Sequence, residues 1–94
     1  MLTGKHLIAG EWVGSETTFK SDPSSGEAHE FAVGSPALVD RAAKAAEDAY
    51  WSFAALSRAE RAAFLRTIAD EIDKRGDEIT KIGHEETGLP EARL

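Results

Sequence analysis

The 94-residue chain contains no cysteine. That excludes a disulfide framework, a thiolate metal site and a cysteine nucleophile within these residues. It also lacks an excess of basic charge. Its 11 Lys and Arg stand against 17 Asp and Glu, for a formal net charge of -6. A nucleic-acid binder needs a basic face to displace counterions from phosphate, so no nucleic-acid partner is expected. No stretch approaches the run of about 18 apolar residues that a membrane-spanning helix requires, so no membrane partner is expected either. The first ten residues carry Lys5 but no long apolar core, and do not read as a secretory signal. A cytoplasmic location is the resulting expectation.

Familiar catalytic loops are missing too. No G-x-G-x-x-G or G-x-x-x-x-G-K-[ST] stretch is present to cradle phosphates, and no G-x-S-x-G nucleophile elbow.

The first third of the chain carries strand and turn signals. His6-Leu7-Ile8-Ala9 is a short extended run, Gly10-Glu11 a turn candidate, and Trp12-Val13 resumes the strand. Thr17-Thr18-Phe19 is β-prone by composition. Asp22-Pro23-Ser24-Ser25-Gly26 is a turn, because proline presets φ and glycine accepts positive φ. From Glu27 to Val33 the residues alternate. Ala28, Glu30 and Ala32 would share one face of a further strand, and His29, Phe31 and Val33 the other.

After Gly34 the period changes from that of a strand to that of a helix. Ser35-Pro36 reads as an N-cap followed by proline at the first helical position. Val39, Ala42, Ala43, Ala46, Ala49, Tyr50 and Phe53 form one apolar stripe on a helix over 36–56. Trp51 lies off its centre, where it would meet a partner. Ser57-Arg58-Ala59-Glu60 fits a capping box, opening a helix over 57–75 with Phe64, Leu65, Ile68, Ala69 and Ile72 on its apolar face. Gly76 is placed to close that helix in the left-handed conformation. Asp77 would start a third helix, with Ile79 and Ile82 inward, ending near Gly88. Leu89-Pro90-Glu91 reads as the start of another. With a helix start and no body before Leu94, the expectation is a truncated segment of a longer chain.

Titratable groups offer little chemistry. His6, His29 and His84 are far apart in sequence, and His84 lacks the second histidine of H-E-x-x-H. Each is expected to be a surface or capping side chain. In Glu47-Asp48, Asp70-Glu71 and Glu85-Glu86 the partners are adjacent on a helix. They point about 100° apart and cannot act as facing acid/base pairs. Trp12 and Trp51 are expected to pack rather than to stack on a ligand.

The ordered set of these segments resembles the opening of the aldehyde dehydrogenase superfamily. Ile8-Ala9-Gly10-Glu11-Trp12-Val13, then Thr18-Phe19, then Asp22-Pro23-Ser24-Ser25-Gly26-Glu27 are similar to its first strands and turn. Val39-Asp40-Arg41-Ala42-Ala43-Lys44-Ala45-Ala46 and the run from Ser57 through Arg66, S-R-A-E-R-A-A-F-L-R, are similar to its first helices. Ile68-Ala69-Asp70-Glu71-Ile72 and Glu85-Glu86-Thr87-Gly88 follow in register. The finer pattern most resembles a bacterial subgroup. It includes 2-oxoglutarate semialdehyde (2,5-dioxopentanoate) dehydrogenases and NADP-using fatty aldehyde dehydrogenases. Asp22 departs from the family's usual Asn, Phe53 from a common Trp, and Leu89 from a common Lys.

The resemblance implies an α/β parent with a Rossmann-like cofactor domain. Residues 1–94 would be the N-terminal part of that domain, with 1–34 β-rich and 35–94 helical. This segment itself reads as α+β: short strands followed by three amphipathic helices. In such a parent a cysteine thiolate attacks the aldehyde carbon, hydride passes to NAD or NADP, and a glutamate-activated water releases the acid. A backbone N–H and an Asn side chain hold the oxyanion. The nucleophile, the glutamate and the cofactor loops lie downstream of the matched region. The resemblance therefore assigns no catalytic and no cofactor-binding residue here.

One assignment does carry over. Some members bind a monovalent cation through carbonyls before the Asn-Pro turn and an acidic side chain before the Thr-Gly step. The matching positions are Lys20, Ser21 and Glu86. The resemblance also implies the remainder of the parent chain as partner, and a homo-oligomer. The alternative is a self-standing helical interaction module whose apolar stripes pack against each other.

Overall fold

The computed structural model describes residues 2–94; Met1, at the head of the opening segment, lies outside the described residues. Four short strands form two small antiparallel sheets, and three helices follow. The chain divides into two compact units. The first runs to Ser21 and includes Ala28–Ala55; the second comprises Asp22–Glu27 and Leu56–Leu94.

In the first unit, β1 (His6–Ile8) pairs with β2 (Glu11–Val13) in the register His6↔Val13, Leu7↔Trp12, Ile8↔Glu11. Ala9 and Gly10 make the two-residue turn, with φ of 51° and 79°. Two consecutive positive φ values match the right-handed twist of a tight hairpin. The turn therefore sits one residue earlier than Gly10-Glu11. Glu11 is a strand residue, and the left-handed conformation falls on an alanine.

A second hairpin joins β3 (Thr18–Lys20) to β4 (Glu30–Ala32). The expected strand over 27–33 is thus three residues long by regular pairing. Ladder bonds nevertheless extend beyond it, from Val33 N–H to Thr17 O and from Ser21 N–H to His29 O, each at 2.9 Å. Phe19 and Phe31 stand directly opposite, ring centroids 5.7 Å apart, a cross-strand pair of the kind worth roughly 0.2–1 kcal/mol. On its other side β4 meets the segment before β1, where Ala32 N–H donates to Gly4 O at 2.7 Å. Ile8 and Ala32, at 6% and 7% exposure, are the only buried apolar residues among those described.

The first helix, α1 (Pro36–Ala54), begins as its sequence dictates. Ser35 is extended, its Oγ accepts the Leu38 N–H at 3.2 Å, and Pro36 occupies the first turn, where no donor is needed. Arg41 reaches Glu11 of β2 at 3.3 Å. Both side chains are at least half exposed, so this pair contributes little.

In the second unit, α2 (Arg58–Lys74) opens on the expected capping box. Ser57 Oγ accepts the Glu60 N–H, and the Glu60 carboxylate accepts the Ser57 N–H, both at 3.1 Å. Its end differs from expectation. Gly76 does not take the left-handed conformation; it is the first residue of α3 (Gly76–Thr87). Arg75, at φ −105°, marks the break, and the Ile79 N–H already bonds back to its carbonyl. The chain re-enters a helix at once, so no residue is needed to turn it away. The left-handed cap falls instead on Gly88, at φ 73°. Past Pro90 the expected helix is a single 3-10 turn, Glu91–Arg93.

The apolar stripes are present and largely exposed. Val39, Tyr50 and Phe53 on α1 are exposed, as are Phe64, Leu65, Ile68 and Ile72 on α2 and Ile79 on α3. Trp51 is the most open large apolar side chain among those described, at 77%. No described helix is long and apolar enough to cross a membrane.

Candidate functional site

The positions matched to a cation set lie on two different elements. Lys20 ends β3, exposed, opposite Glu30. Ser21 follows it, half-buried, and holds His29 twice. Its N–H donates to the His29 carbonyl at 2.9 Å, and its Oγ accepts the His29 N–H at 3.0 Å. This pair of hydrogen bonds closes the long β3–β4 loop at its base. Lys20 and Ser21 are thus brought together in the first unit. Glu86 belongs to the last turn of α3 in the second unit and is half-buried. No group of three or more His, Asp or Glu side chains able to hold a metal ion occurs among the described residues.

The end of α3 is the most densely bonded polar region. Gly88 N–H donates to the His84 carbonyl at 2.9 Å, and the Thr87 hydroxyl to the Gly83 carbonyl at 2.6 Å. Leu89 N–H in turn donates to Thr87 Oγ1 at 3.1 Å. His84 Nδ1 lies 2.7 Å from the Leu89 carbonyl, which can only accept, so Nδ1 carries the proton. The Gly88 bond satisfies one of the carbonyls that a helix end leaves open, and the His84 ring ties the segment after α3 back to its last turn. His84 is therefore a capping side chain, as its sequence context suggests.

The turn Asp22–Glu27 docks on this same helix end, which the sequence did not reveal. Ser25 N–H donates to the Glu85 carbonyl at 3.1 Å. The signal that could have found it is the pair of glycines, Gly26 and Gly88, both in the left-handed conformation at the contact.

His6 departs from expectation. Its Nε2 is sealed from solvent with no hydrogen-bond partner among the described residues. A buried polar group left unpaired costs about 1–3 kcal/mol. His6 lines an open apolar groove with Leu7, Ile8, Leu38, Val39 and Ala42 in the first unit.

The carboxylates act as helix-surface groups. In the Asp70-Glu71 pair, Glu71 turns to Arg75 at 2.6 Å and Lys74 at 3.0 Å. The hydrogen bond from Arg75, then that from Lys74, holds its carboxyl below the usual carboxylate range. Glu60 is likewise lowered, by the backbone N–H and then the hydroxyl of Ser57. Both are bound to groups of their own helix or its cap.

No glycine-rich turn leads into a helix. α1 enters through a proline without a donor, and in α2 the Glu60 N–H is engaged by its own capping box.

Residues 12–93 match the family model described as "Aldehyde dehydrogenase family". The chain belongs to the aldehyde dehydrogenase family. Among its relatives is the Azospirillum brasilense protein named "Alpha-ketoglutaric semialdehyde dehydrogenase 2". It is 49% identical over 98 residues, covering 99% of this chain. A Staphylococcus aureus (strain USA300) protein that carries an aldehyde dehydrogenase name is 39% identical over 90 residues, covering 92% of this chain. A counterpart in strain MSSA476 is 38% identical over the same length. The chain spans 19% of the length of each of these aldehyde dehydrogenase relatives.

Proposed function

We propose that this chain is a scaffold segment of an NAD(P)+-dependent aldehyde dehydrogenase that oxidises a semialdehyde to the carboxylic acid. The observation that carries the reading is the 49% identity, along nearly the whole chain, to a protein named for alpha-ketoglutaric semialdehyde.

The residues themselves agree with a supporting role. The 94 residues hold no cysteine, so the nucleophile of such a reaction lies outside them. They form no dinucleotide cradle, so NAD(P)+ would be held elsewhere. What they do present is a set of exposed apolar side chains on α1, α2 and α3. Faces of this kind mark surfaces that another part of a protein covers. In the parent enzyme they would rest on the parallel sheet of the cofactor domain and wrap its outside. The parent would be a cytoplasmic homo-oligomer.

The test uses the native protein containing this sequence. Reduced nicotinamide is followed with the semialdehyde of 2-oxoglutarate and with a simple aliphatic aldehyde of equal chain length. A higher kcat/KM for the semialdehyde supports the substrate class. Preference for the simple aldehyde would leave the family and remove the semialdehyde. No aldehyde-dependent reduction of either cofactor would overturn the activity.

A further inference from the structure

We draw no further inference here: the strongest candidate, the open apolar groove that His6, Leu7 and Ile8 of β1 form with Leu38, Val39 and Ala42 beside the unpaired His6 Nε2, carries nothing because nothing in the structure shows what covers it.

Discussion

The N–H of Ser25 donates to the carbonyl of Glu85 at 3.1 Å, fastening the turn Asp22–Glu27 to the last turn of α3. Glycine flanks the contact on both sides. Gly26 has φ 78° and Gly88 φ 73°. A Cβ on Gly26 would lie 3.0 Å from the Glu85 carboxyl carbon; one on Gly88 would lie 3.1 Å from Ser24 Oγ. The left-handed backbone alone costs an L-residue about 1–2 kcal/mol. Gly26→Ala and Gly88→Ala should therefore each destabilise this unit by about that amount. Native-state hydrogen exchange at the amides of α3 is the readout. Unchanged protection in both variants would contradict the docking of the turn.

Gly4 and Ala9 make an opposed pair of positions. A Cβ on Gly4 would lie 2.1 Å from the Glu30 carbonyl oxygen, and φ there is 67°. The Gly4 carbonyl also accepts the Ala32 N–H. Gly4→Ala must push β4 away or break that bond, at a cost of about 2–4 kcal/mol. Ala9 already sits at φ 51° in the hairpin turn. Asparagine tolerates that conformation better, so Ala9→Asn should stabilise by about 0.5–1 kcal/mol. Thermal unfolding of the intact protein should show a lowered midpoint for the first variant and an unchanged or raised one for the second. The reverse order would refute the hairpin geometry.

The capping box of α2 gives a pH dependence with a definite sign. Glu60 is held below the ordinary carboxylate range by the backbone N–H and then the hydroxyl of Ser57. A folded-state pKa below the unfolded one means the charged form is favoured on folding. Its contribution is present above the unfolded value and is lost as pH falls through the lowered folded value. Protection of the first amides of α2 should fall on acidification through and below the ordinary glutamate range. Glu60→Gln keeps the acceptor without the charge and should remove that dependence. Ser57→Ala should cost about 1 kcal/mol at neutral pH. An acid response retained by Glu60→Gln would show that another group is responsible.

What the sequence discloses follows the range of the interaction. Both helix starts are local, written in Ser35-Pro36 and in Ser57 with Glu60, and both form as read. Gly76 misleads because a left-handed cap is needed only when the chain leaves the helix, and here it re-enters one at Gly76 itself. The first turn is displaced by one residue because alanine carries no turn signal. Only the pairing of Ile8 with Glu11 places Ala9 in the loop. The β3–β4 pairing and the docking of Ser25 on Glu85 join residues far apart in sequence, and no local pattern states them. Of the site, the capping role of His84 was legible, whereas the sealed Nε2 of His6 depends on how β1 is buried. Lys20 ends β3 and Ser21 follows it, while Glu86 falls in the other unit.

The exposed stripes make a prediction about the chain produced alone. Only Ile8 and Ala32 are buried apolar residues among those described, while Leu65 and Val39 are each 64% exposed. Such a chain should self-associate and melt gradually rather than in one sharp step. Circular dichroism on heating, with sedimentation at several concentrations, reads both properties. A monomer with a sharp transition at low concentration would favour the self-standing interaction module instead.

The most direct test is the intact mass of the protein as isolated from its native source. A mass several times the 10.1 kDa of these 94 residues is expected, with a cysteine in the additional sequence. A mass near 10.1 kDa would contradict the reading as a segment of a larger aldehyde dehydrogenase, because these residues supply no thiolate.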